Sequence, residues 1–291
     1  MAPRTTATPA PRQGRGAPAH SDPSLDPSPR RARSDLTAPR PAVRFPLPPL
    51  LLLAHGSRDP RHAATVEALA AAVRALRPEL DVTTAYLDHC APRIAQVAAR
   101  LTDAVAVPLL LNRAFHAKHD IPAALRAAGS AIPVADVLGP SPLLLDALDR
   151  RLAESGPDVA DPAVRARTGV VLAAAGSSDP AANATTRAVA AEWRRSRSWA
   201  AVTTAHASGT GPTVADALAA LRADPAVRTT AVAPYLLAPG LLPDRIATAA
   251  TAHGADHLAQ VLGPAPELAR LVLTRHAEAA AAINSPTART A

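Results

Sequence analysis

The chain has 291 residues, of which 48% are hydrophobic and 2% aromatic, and it carries a formal net charge of +7. Eight Arg against three Asp in residues 1–45 account for most of that charge. The remainder is near neutral and poor in stacking side chains, which argues against a nucleic-acid binder. The single cysteine, Cys90, excludes an internal disulfide and a Cys-based zinc site.

No apolar run approaches the roughly 20 residues that a membrane helix needs. The N-terminal arginines are followed by no hydrophobic segment, so a secretion signal is not expected. The expectation is a soluble cytoplasmic protein with no membrane and no nucleic-acid partner. Residues 1–46, rich in Pro, Arg, Ser, Thr and Ala without an apolar period, read as a disordered tail.

From Pro46 the texture changes. Leu50–Ala54 reads as a buried strand that ends in His55, and Gly56-Ser57 turns the chain. Asp59 suits a helix N-cap and Pro60 the first helical position. The first helix runs over Pro60–Leu76, with Val66, Leu69, Ala70, Val73 and Leu76 at helical spacing. A second strand follows at Asp81–Asp88, then a helix opened by Pro92. The third strand, Ala104–Leu111, is almost wholly apolar, as a strand covered on both faces should be. A loop carries Asn112 to His119, followed by a short helix from about Ile121. A fourth strand is expected near Ile132–Leu138, and Ser141-Pro142 opens a helix ending about Glu154. Four β-α units in series predict a parallel sheet wrapped by helices.

Residues 156–167 read as a linker, after which the pattern returns. Leu51-Leu-Leu-Ala-His-Gly-Ser-Arg-Asp-Pro60 is echoed by Leu172-Ala-Ala-Ala-Gly-Ser-Ser-Asp-Pro180, and Thr83-Thr-Ala by Thr203-Thr-Ala. Val137-Leu-Gly-Pro-Ser-Pro142 is echoed by Val261-Leu-Gly-Pro-Ala-Pro266. The expected architecture is α/β: two tandem flavodoxin-like domains, at 47–155 and 168–283, each a four-stranded parallel sheet with helices on both faces. The two face each other across a cleft, and 284–291 form a second disordered tail. Internal duplication makes a monomer the expected state.

Ligands of open parallel sheets bind beyond the carboxyl ends of the strands, where strand order reverses. With an order of 2-1-3-4, His55, His116 and Asp88 meet at one rim. Neutral imidazole ligates first-row divalent metals and titrates near neutrality, so these three describe an open metal site. His62, His89, His253, His257 and His276 read as ordinary histidines, although His89 and His119 lie near the rim. In the second copy Ala175 replaces His55 and Ser208 replaces Asp88. The segment Pro234–Ile246, which matches Pro108–Ile121, has no histidine. The second half therefore reads as the wall of the cleft, into which His206 is the one further imagined reach.

The series Ala54-His-Gly-Ser-Arg-Asp-Pro60, Tyr86-Leu-Asp88, Pro108-Leu-Leu-Leu and His116-Ala-Lys-His-Asp-Ile-Pro122 resembles the sirohydrochlorin chelatase family of the CbiX/SirB type. It departs from that family's pattern in having Asp88 where Glu is common, and Asn-Arg-Ala-Phe before His116. The resemblance implies insertion of divalent cobalt or iron into sirohydrochlorin, for cobalamin or siroheme. It implies that His55 and His116 are the catalytic and metal-binding pair, beside which Asp88 orients an imidazole or takes a proton onward. The metal is a substrate, and no tightly bound cofactor is expected. Ser57, Arg58, Arg61 and Arg113 become candidate contacts to the tetrapyrrole, the arginines as anchors for its carboxylates. A carrier that binds metal or tetrapyrrole without inserting one into the other uses the same residues. A histidine phosphatase is disfavoured because Ala54 occupies the place of an Arg before the His.

Overall fold

The computed structural model describes residues 47–112 and 119–284. They belong to one compact unit, Pro46–Ala291. The first half contains β1 (Leu50–Ala54), α1 (Pro60–Leu76), β2 (Val82–Tyr86), α2 (Ile94–Ala98), β3 (Val105–Pro108), α3 (Ile121–Ala127) and α4 (Pro142–Glu154). A short α5 (Pro162–Arg165), inside the stretch read as a linker, leads to the second half. That half comprises β4 (Thr168–Ala174), α6 (Pro180–Arg197), β5 (Ala201–His206), α7 (Val214–Ala223), β6 (Thr229–Pro234), α8 (Leu241–Ala252), β7 (His257–Leu258) and α9 (Pro266–Asn284).

Both sheets are parallel, ordered β2-β1-β3 and β5-β4-β6-β7. The central strands are the two apolar runs of the repeat, and every residue of β1 and β4 is buried. The helix-start signals act as read: Asp59 and Asp179 accept from the N–H groups of Arg61 and Ala181 at 2.9 and 2.8 Å, each with Pro at the first helical position.

Among the described residues the first sheet has three strands where four are predicted. Residues 132–138 contribute one bridge, between Ala106 and Val134. In the second half the Asp256 N–H bonds across to the Thr230 carbonyl. Its counterpart, the Ile132 N–H, turns back to Ser130 Oγ at 3.3 Å, and Pro133 has no N–H to offer.

Side chains alternate along a strand, so each sheet has two faces to cover. Leu50, Leu52 and Ala54 share one hydrophobic core with Val170, Leu172 and Ala174 of the other sheet. Leu51 and Leu53 face away, onto Ile94, Ile121 and Leu125. Val171 and Ala173 likewise face Leu218, Leu221 and Ile246. The two halves are fused through a common interior as well as facing each other. Their last helices are exchanged: α9 packs on α1, α4 and β3 of the first half, and α4 packs on β6 of the second. Among the described residues no helix is long and apolar enough to cross a membrane.

Candidate active site

The carboxyl end of β1 is pinned by its neighbours. Leu87 N–H donates to the Ala54 carbonyl at 3.0 Å, and Asp88 N–H to the His55 carbonyl at 2.8 Å. The chain must then turn at once into α1. Gly56 does this at φ 90°, so close to β2 that a Cβ there would lie 1.8 Å from the Asp88 carbonyl oxygen. Only glycine suits both the dihedral and the space. Ser57 Oγ accepts from Asp59 N–H at 3.1 Å and closes the turn. His55, half-buried, is thereby held at the rim with Nδ1 3.1 Å from the Gly56 carbonyl oxygen.

Asp88 reaches this rim through its backbone, while its carboxylate turns elsewhere. Oδ1 accepts from His89 N–H at 2.8 Å and from Arg93 Nη1 at 2.6 Å. Oδ2 lies 3.4 Å from His89 Nε2. The Arg93 hydrogen bond, followed by that from the His89 amide, holds the Asp88 carboxyl below its ordinary pKa. The carboxylate thus serves His89, not His55. His89, at φ 63°, lines the same pocket as His55. Beside it Cys90 braces the turn, its thiol donating to the Ser57 carbonyl at 3.1 Å.

That pocket, about 640 Å3, is lined by His55, Gly56, Ser57, Arg58, Asp59 and His89 from the first half and by Leu241 and Asp244 from the second. Arg61 spans its edge. The guanidinium holds Asp59 through Nε and Nη2, and grips Asp244 at 2.5 and 3.2 Å. Of the arginines read as anchors, Arg58 lines the pocket and Arg61 is occupied by two carboxylates. Behind the turn, burial and then the neighbouring His55 push the His62 imidazole below its ordinary pKa.

The second copy repeats the scaffold. Ala207 and Ser208 N–H groups donate to the Ala174 and Ala175 carbonyls at 2.9 and 3.0 Å, and Gly176 has φ 83°. Its strand ends open on a separate pocket of about 540 Å3, lined among others by Ala175, Ser177, Ser208 and Tyr235 and by Asn112 of the first half, with no Asp, Glu, His, Lys or Arg among the described residues. His206 is buried, its Nδ1 3.0 Å from the Thr210 carbonyl oxygen, and does not line that pocket.

His116 and Arg113 lie outside the described residues, as do 1–46 and 285–291; Asn284, read as the start of the second tail, is the last residue of α9. Among the described residues no three or more His, Cys, Asp or Glu side chains form a metal-holding group. The structure therefore brings His55 and His89 together at one pocket. The pocket residues that the sequence reading left out are Asp244 and Leu241, for which the sequence holds no signal. For His89 the signal is its place near the rim.

Comparison with known proteins bears on this geometry. The family model CbiX matches residues 49–155 and again 169–279. A sirohydrochlorin cobaltochelatase of Priestia megaterium is 32% identical over 144 residues, covering 46% of this chain. The match spans only 46% of that relative's length. A sirohydrochlorin ferrochelatase of the same organism is 28% identical over 210 residues, covering 68% of this chain and 76% of that protein. Among solved structures, SirB from Bacillus subtilis with Fe3+ superposes with a TM-score of 0.69 at 25% identity, covering 82% of this chain and 97% of that one.

Proposed function

We propose that this chain, which belongs to the CbiX family, inserts a divalent metal, cobalt or iron, into sirohydrochlorin, on the way to cobalamin or siroheme. One observation carries the reading. The strand–turn–helix unit occurs twice with the same hydrogen bonds, and the copy that keeps an imidazole opens it onto a pocket walled by the other half.

Insertion exchanges two pyrrole N–H protons for one M2+. A neutral imidazole can do either part of that exchange, ligating the metal or accepting a proton near neutral pH. In this reading His55 and His116 hold the metal over one face of the ring and take up the protons. Asp88 acts at one remove, through His89, whose ring it faces at 3.4 Å. Arg58 and Arg113 receive the substrate's carboxylates, and Ser57 fixes the turn that aims His55. Arg61 ties α1 to α8 and so sets the second wall of the pocket. The metal is substrate rather than resident cofactor. The domain at 47–155 carries the chemistry and 168–283 completes the cleft, in a cytoplasmic monomer.

The test is anaerobic insertion into sirohydrochlorin followed by absorbance, with Co2+ and Fe2+ run separately. Acceleration over the spontaneous reaction that His55→Ala abolishes is the expected result, and the faster metal ranks the two. Binding of metal or tetrapyrrole without acceleration would replace the enzyme with a carrier.

A further inference from the structure

The outer edge strands of the two sheets, β2 and β5, are equivalent in the repeat yet treated differently. In the first half the β2 edge is closed by side chains from α1. Arg74 Nη2 donates to the Val82 carbonyl at 2.6 Å, and Thr84 Oγ1 donates to Glu67 Oε1 at 2.5 Å. In the second half the same positions, 120 residues on, hold Arg194, Val202, Thr204 and Arg187. Neither contact is made there. Arg187 has replaced the glutamate, and among the described residues neither Arg187 nor Arg194 forms an ion pair. Together with Arg195, Trp199, Val202, Thr203 and Thr204, they line a groove of about 630 Å3 between α6 and β5.

β5 borders that groove through Val202, Thr203 and Thr204. The Tyr86 and His206 N–H groups point off the sheet, each to a proline carbonyl (Pro92 and Pro212) at 2.9 Å, as does the Val82 carbonyl that Arg74 takes. Successive residues of a strand alternate the side on which they bond, so Val202 and Thr204 also direct their N–H and C=O groups outward. Among the described residues nothing pairs with them, since β5 ends its sheet. An unpaired edge is a template for an added strand.

We infer that the β5 edge docks an extended acidic segment of a partner protein, which pairs its backbone with Val202 and Thr204 and sets its carboxylates against Arg187 and Arg194. These arginines stand two turns apart on α6, about 10 Å along the axis. Alternate side chains of a strand, about 7 Å apart, fall within their reach. The chain's own residues 1–45, at eight Arg to three Asp, have the wrong charge for this edge. A second copy pairing its own β5 here would set arginine against arginine, and on its β2 edge Arg74 already takes the Val82 carbonyl.

The test uses the full chain and a fluorescein-labelled hexapeptide of alternating Glu and Val, followed by anisotropy at low salt. Saturable binding is expected, absent for the Lys–Val peptide and weakened about tenfold or more by Arg187→Glu with Arg194→Glu. The same loss is expected when the Glu–Val peptide is N-methylated along one edge, a control that leaves the protein untouched. Metal insertion by the double variant stays at the wild-type rate. Equal binding of the N-methylated peptide, or no saturable binding at all, overturns the inference. So does self-association of the chain that the double variant abolishes, because a second copy would then cover the edge.

Discussion

Arg151 and Arg275 occupy matching places in the two copies, and each reaches across to the other. Arg151 on α4 donates through Nε and Nη2 to the Leu262 carbonyl at 3.0 and 2.9 Å. Arg275 on α9 donates to the Val137 and Leu138 carbonyls at 2.9 and 3.3 Å. Leu138 and Leu262 are themselves repeat partners and fully buried. The exchanged helices are therefore locked by a reciprocal pair of charged hydrogen bonds onto backbone that has left its sheet. His276 adds a third tie, with Nε2 2.8 Å from the Pro48 carbonyl oxygen at the entrance to β1.

Truncating either arginine strands buried carbonyls, at a cost of about 1–3 kcal/mol. Because the halves share a core, that loss should be felt by both. Both tryptophans, Trp193 and Trp199, belong to the second half, and Trp193 Nε1 donates to Asp149 of α4 at 2.8 Å, so their fluorescence reports that half and its seam with α4 while far-UV circular dichroism reports the whole chain. Arg275→Ala should lower the urea midpoint by the same amount in both signals. Two separated transitions would show that the halves unfold independently.

Burial dominates the His276 and His62 imidazoles and depresses both below the ordinary value of 6.5. The sign follows from linkage: near and below 6.5 the unfolded chain binds protons that the folded chain refuses, so stability falls as pH falls. The contribution is whole above about 6.5 and drains as pH descends toward the depressed folded values. Melting temperature should therefore drop between about pH 7.5 and about pH 5.5, and His276→Gln should flatten that slope. An unchanged slope in the variant would assign the loss to other groups.

Gly56 joins the fold to the site. Any Cβ there meets the Asp88 carbonyl and must also adopt φ 90°. Gly56→Ala should cost about 1–3 kcal/mol and, by displacing the β1–β2 contact that holds His55, slow insertion more than it lowers the melting temperature. Gly176→Ala meets Ser208 in the same way, at 2.1 Å, and should cost similar stability. With no imidazole behind it, that variant should leave insertion nearly intact in the fraction that stays folded. Melting curves and rates measured together on the two variants separate fold from site.

Much of this was legible in the sequence because punctuation is local. Asp-Pro and Ser-Pro place α1 and α4 over Pro60–Leu76 and Pro142–Glu154, as read, and the apolar runs give β1 and β4. The exchange of α4 and α9 was not legible, since periodicity shows that a helix has an apolar face but not which sheet it meets. Asp88 was placed at the right rim, but its carboxylate follows the nearby charge of Arg93, and that choice depends on the turn between them. Asp244 is joined to Arg61 only through tertiary structure.

The duplication allows a last test of what makes a site. Ala175 holds the backbone position of His55, with the same pair of hydrogen bonds from the neighbouring strand and the same following glycine. It is half-buried and lines a pocket, so an imidazole fits there with little strain. Ala175→His should therefore change stability by no more than about 0.5 kcal/mol. It should not rescue His55→Ala. The second pocket offers no counterpart of His89, Asp88 or Arg58, and proton transfer during insertion needs a second group to take what the first accepts. A new imidazole without those neighbours can bind a metal weakly without exchanging it for pyrrole protons. Absorbance-detected insertion by the double variant should stay at the spontaneous rate. Recovery of activity would mean that a histidine at either strand end can serve with His116, and that His89, Asp88 and Arg58 have no part in the reaction.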